Sequence, residues 1–144
     1  MGIISLVTFH ACQTAKANGF IKKLEDWTFS PEPAAVHEAW NMVSALLVES
    51  GIPATHETRV VVDELAANAI VHAKTEFKLV LEIWQDGLRV IVQDRSKLKP
   101  RLSYPDPLAE SGRGLFLLND VAQDWGYHLT EDGKCIWANV ALAS

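Results

Sequence analysis

Two cysteines, Cys12 and Cys135, are all that the 144 residues contain. That number excludes a multi-bridge disulfide scaffold, and neither cysteine sits in the Cys-x-x-Cys spacing of a metal or redox motif. They read as two thiols in a reducing compartment. Basic residues are also scarce, with 13 Lys and Arg against 18 Asp and Glu and a formal net charge of -5. No basic stripe runs along the chain, which argues against nucleic acid as a direct partner. Long apolar runs are missing too. Residues 1–7 are briefly apolar, but His10 and Gln13 break the run and no basic residue precedes it. Such a stretch is too short for a membrane span and lacks the flanks of a secretion signal. The expectation is a cytoplasmic protein without a membrane partner.

What is present suits one globular domain: 49% hydrophobic and 22% charged residues, enough to build a core. Residues 1–26 read as an N-terminal extension or an extra strand, and residues 27–144 as the domain. Trp27-Thr28-Phe29 has the look of a short strand. Ser30-Pro31-Glu32 reads as a helix start, with Ser30 as N-cap and Pro31 in the first turn. Val36, Ala39, Trp40, Val43, Leu46 and Leu47 then recur at helical spacing up to Gly51. A second helix is expected from Thr55 or His56 to Ala73.

The period then changes. Leu79, Leu81 and Ile83 alternate, Asp86-Gly87 follows, and a second alternating run covers residues 88–93; this is a strong hairpin signal. Residues 95–111 are polar, carry Pro100, Pro105 and Pro107, and read as a lid-like loop. Residues 115–123 return to helical spacing. Residues 125–130 and 134–142 form a second hairpin around Asp132-Gly133. This order implies an α+β sandwich, a mixed and mostly antiparallel sheet with helices on one face.

Three places could carry chemistry. Glu64, Asn68 and His72 stand four apart, a drift of only about 40° per step around an α-helix, so they form one polar stripe among apolar neighbours. Such a stripe is either a wetted face or a site. An Asn oxygen can ligate Mg²⁺ beside phosphates, and a Glu one turn earlier can take a proton from an attacking hydroxyl. His72 reads as a structural or capping residue. Asp94, at the end of a strand, can accept from an exocyclic amine, or can simply cap a turn. Gly112-Arg113-Gly114 before a helix allows backbone N–H groups to approach an anion.

Taken in order, Glu64-x-x-x-Asn68-x-x-x-His72-Ala73, a hairpin ending in Asp94, a loop, and Gly112-Arg113-Gly114-Leu115 resemble the GHKL (histidine kinase-like) ATPase superfamily. Trp125-Gly126 and Gly133-Lys134-Cys135-Ile136-Trp137-Ala138 are similar to its anti-sigma-factor serine/threonine kinase branch. The resemblance implies a two-layer Bergerat-type sandwich that binds ATP and Mg²⁺. It implies that Glu64 is the general base, Asn68 the Mg²⁺ ligand, Asp94 the reader of the adenine amine, and Gly112, Arg113 and Gly114 the border of the phosphates. It implies partner switching in transcription regulation between a sigma factor and a STAS-type antagonist, with a homodimer left open. One departure stands out. The family's Asp-x-Gly-x-Gly corresponds here to Asp94-Arg95-Ser96-Lys97-Leu98, which has no glycine, and that favours the alternative of a non-catalytic binding regulator with weak or no ATP binding.

Overall fold

The structure, a computed structural model, describes residues 21–98, 100 and 114–142, with side chains from residue 118 onward in the last stretch. The elements run β1 (Ile21–Phe29), α1 (Ala34–Glu49), α2 (His56–Ala67) continued by a π-helical turn (Asn68–Ala73), β2 (Phe77–Trp84), β3 (Gly87–Asp94), α3 (Gly114–Val121), β4 (Asp124–Leu129) and β5 (Lys134–Ala141). The sheet order is β1-β2-β3-β5-β4. Every pairing among the described residues is antiparallel, where the sequence reading expected a mixed sheet. Among the described residues no helix is long and apolar enough to cross a membrane.

Alternation decides the inner face. Phe77, Leu79, Leu81 and Ile83 of β2, Leu88, Val90 and Val92 of β3, and Ile136, Ala138 and Val140 of β5 form one core with Ala39, Val43 and Leu47 of α1 and Val61, Val62 and Leu65 of α2. The described helices therefore cover one face, and α3 packs on α2. The opposite face is not simply wet. Val80, Ile91, Cys135 and Trp137 form a second buried cluster. Beside it Arg89 bonds Asn139 Oδ1 at 2.8 Å, lies 3.6 Å from Glu82, and sits against the rings of Trp84 and Trp137. Cys135, expected as a thiol, is disulfide-bonded; Cys12 lies outside the described residues.

Several boundaries differ from the sequence reading for local reasons. β1 begins at Ile21, six residues before Trp27, because its whole length pairs with β2. Ser30 does not cap α1. Pro33 disfavours helical backbone at Glu32 before it, so the helix begins at Ala34 with Pro33 as its cap residue. Its end is a Schellman motif: Gly51 takes φ 75°, Ile52 N–H reaches Leu47 O at 2.8 Å and Gly51 N–H reaches Val48 O at 3.0 Å. α2 opens as expected, with Thr55 Oγ1 accepting from Thr58 N–H. The first hairpin pairs Ile83 with Leu88, which places its turn at Gln85-Asp86, one residue earlier than Asp86-Gly87.

The second hairpin has a stricter requirement at Gly133. A Cβ there would collide with the carbonyl oxygen of Asp94 and lie 2.7 Å from Arg95 Cα. Both obstacles are backbone, so no side-chain rotation relieves them. Gly133→Ala is expected to destabilise the protein by about 2 kcal/mol or more, read as a lower urea midpoint; an unchanged midpoint would show that the β4–β5 turn can lift off β3.

Candidate functional site

Asn68 sits where α2 gives way to the π-helical turn. It is 3% exposed, and neither its Oδ1 nor its Nδ2 has a partner. Such an amide is expensive to bury, because each polar atom has left water without gaining a replacement. π-helical turns occur frequently at functional sites. This one ends at Lys74, whose N–H reaches Ala69 O at 2.8 Å and whose backbone is left-handed at φ 56°. The sequence reading continued the α-helix to Ala73. In the wider π turn a four-residue step falls slightly short of a full revolution, which offsets the α-helical drift from Glu64 to Asn68 and keeps His72 on their side of the helix.

Glu64, one α-turn before Asn68, is half-buried. Burial pushes its carboxyl above the ordinary glutamate range, and the neighbouring Asp63 carboxylate adds to the shift. A carboxylate held this way is a stronger base than a solvated one.

Asp94 ends β3 on the helix-facing side, in phase with Leu88, Val90 and Val92. Directly opposite it in β5 is Lys134, in phase with Ile136, Ala138 and Val140. Their side chains are 0% and 1% exposed, and Nζ lies 2.8 Å from Oδ2. Oδ1 accepts the Ser96 N–H at 2.8 Å, which is the turn-capping role the sequence allowed. Burial raises the Asp94 pKa against the lowering effects of Lys134 and the Ser96 N–H. The following backbone is tied down as well: Arg95 N–H bonds Thr75 Oγ1 at 3.0 Å and its guanidinium lies 3.6 Å from Glu76. The π turn packs against β3, so the chain end of β3 and the end of α2 are neighbours. Gly114 opens α3, which packs on α2; Gly112 and Arg113 lie outside the described residues.

Sequence reasoning missed Lys134 as a site residue. The signal was there: a lysine two residues before an alternating Ile136-Ala138-Val140 stripe must point inward and needs a counter-charge.

The histidine kinase-like ATPase domain model matches residues 29–140. That is most of the chain, and the protein belongs to this family. Its α+β architecture, a five-stranded antiparallel sheet with helices, agrees with that fold, and membership implies ATP binding. No curated protein matches the chain.

The Glu64 environment gives a signed expectation. Its pKa is higher folded than unfolded, so the folded protein holds the proton more tightly and stability falls as pH rises through that window. Glu64→Gln removes the penalty. The variant is expected to melt at a higher temperature than the parent at pH 7, and the advantage is expected to fade as pH drops below about 4.3, the ordinary glutamate value. A variant less stable at pH 7 would make Glu64 a structural residue.

Proposed function

We propose that the chain is an ATP-dependent protein serine/threonine kinase of the anti-sigma-factor type, acting in the cytoplasm by partner switching: it would hold a sigma factor and phosphorylate a STAS-type antagonist. The disulfide at Cys135 pulls against a reducing compartment; the pairing of site residues pulls toward the kinase. The observation that carries the reading is Asn68, a buried amide without a partner one turn beyond a desolvated Glu64. An Asn Oδ1 with no protein donor is suited to a hard cation, so Asn68 would hold Mg²⁺. When bound, that ion would neutralise charge on the phosphates.

The remaining chemistry belongs to the chain. Glu64 would accept the proton of a serine or threonine hydroxyl as its oxygen bonds the γ-phosphorus. The bond from that phosphorus to the β–γ bridging oxygen breaks, and the products are ADP and a phosphoester. Asp94 would face the base amine, and Gly112, Arg113 and Gly114 the phosphates. The second reading, a non-catalytic binding regulator of the same fold, draws on the closed Asp94–Lys134 pair and the missing glycines after Asp94.

Asn68→Ala separates these roles from structure. Alanine is the better helix former and removes an unsatisfied amide, so the variant is expected to fold at least as stably as the parent while losing Mg²⁺-dependent ATP binding in calorimetry. Glu64→Gln is expected to keep Mg–ATP binding and lose about 10²–10⁴-fold in phosphoryl transfer to a STAS protein. Equal transfer by parent and variant would remove Glu64 from the mechanism. ATP binding without transfer in either would establish the binding regulator.

A further inference from the structure

Lys134 has a position that the family reading does not explain. It is the first residue of β5, directly opposite Asp94, and both side chains are closed off from solvent. One oxygen of the Asp94 carboxylate, Oδ2, is ion-paired with the Lys134 ammonium at 2.8 Å, and the other, Oδ1, accepts the Ser96 N–H at 2.8 Å. A base amine that approached this carboxylate would come as a nitrogen donor at the same distance the ammonium already occupies. The backbone cannot open the way easily. Gly133 is packed against Asp94 and Arg95 so closely that not even a Cβ fits, and Arg95 is tied to Thr75 and Glu76. What can move is the four-carbon lysine stem.

We propose that Lys134 is an internal competitor of the nucleobase: its ammonium occupies the donor position on Asp94, so adenine binds only when the side chain swings away. This rests on the reading of Asp94 as the base contact and makes Lys134 the residue that sets affinity at that contact. The exchange is between two donors to one carboxylate. Withdrawing the ammonium leaves a buried carboxylate without its counter-charge, which is costly, and the incoming amine recovers only part of that loss because it is neutral. The native chain is therefore a weaker binder of adenine nucleotides than the same fold without a donor at position 134. A base that lacks the amine gains nothing from removal of the lysine.

The test is titration calorimetry of Mg–ATP and Mg–ITP, whose base carries a carbonyl in place of the amine, against the full chain and three variants: Lys134→Val, Lys134→Met and the double variant Asp94→Asn with Lys134→Val. Methionine keeps the stem length without a donor and serves where the valine variant does not fold. The expected result is an ATP affinity about tenfold or more above the parent in either single variant, the scale of one hydrogen bond to a charged group. No such gain is expected for ITP or for the double variant. ATP affinity equal to or below the parent's overturns the proposal, as it would if Lys134 itself contacted the base. So does a gain shared by ITP or by the double variant, which would mean only that a smaller side chain enlarged the pocket. ATP binding by the parent that is unchanged in both single variants overturns the competitor role and leaves the nucleotide reading intact. Absence of ATP binding in the parent and every variant overturns the nucleotide reading itself, and this proposal with it.

Discussion

Asp94 and Lys134 face each other across β3, the central strand, and its neighbour β5, buried together, and the register of that pair depends on them. Two charges removed from water are tolerable only as a pair. A slip of one residue between β3 and β5 would turn every side chain of one strand to the opposite face. Lys134 would then point away from the helices, and Asp94 would stay buried alone. The adjoining Gly133 closes the same junction from the backbone side. Register therefore follows from electrostatics at one end of the strands and from alternating apolar packing along the rest.

Asn68 presents the opposite condition a short distance along the fold. There the helix carries a buried amide with nothing to satisfy it, on a π turn that ends in a left-handed Lys74. Both features oppose stability. The surrounding packing tolerates them because α2 is anchored on both sides, against α1 and α3, and below against β3 and β5. A polar group kept unsatisfied is ready for a ligand; a carboxylate already ion-paired, such as Asp94, must give up its counter-charge first. The two ends of the nucleotide reading, phosphate side and base side, are thus in different states of readiness.

Much of the fold was legible because period is robust. The alternation of Leu79, Leu81 and Ile83 survives as the inner face of β2, and the helical spacing of Val43, Leu46 and Leu47 survives as the buried stripe of α1. Boundaries were less legible where two local signals competed: Ser30-Pro31 looks like a helix start, but Pro33 also constrains Glu32 and wins. The π turn was not legible, because no residue type marks it. In the candidate site, Glu64 and Asn68 could be paired from spacing alone. The burial of Asn68 could not, since an Asn in an apolar helix reads equally as a wetted stripe. The Asp94–Lys134 pair required the register of β3 against β5, a contact between residues forty positions apart.

The departures from local rules are concentrated at one end of the sheet. Phe77, Asp94 and Lys134 are aligned across β2, β3 and β5 at that end, and the left-handed Lys74 precedes β2 there. The desolvated Glu64 and the orphaned Asn68 lie on the helix whose last turn packs against β3. At the other end the backbone motifs are closed, by the Schellman motif at Gly51, a tight turn at Gln85-Asp86, and Leu142 N–H bonded to Asp86 O at 3.3 Å, although Ser50 Oγ is buried there without a partner. The buried Arg89 on the outer face is satisfied too, by Glu82, Asn139 and two rings, with Asp124 holding Asn139 in turn at 2.7 Å. A protein that can satisfy a buried arginine so fully is not short of ways to place polar groups. Its failure to do so at Asn68, one turn beyond a carboxylate with a raised pKa, supports the site proposed there, because consistency across levels is the rule and functional positions are where it is broken.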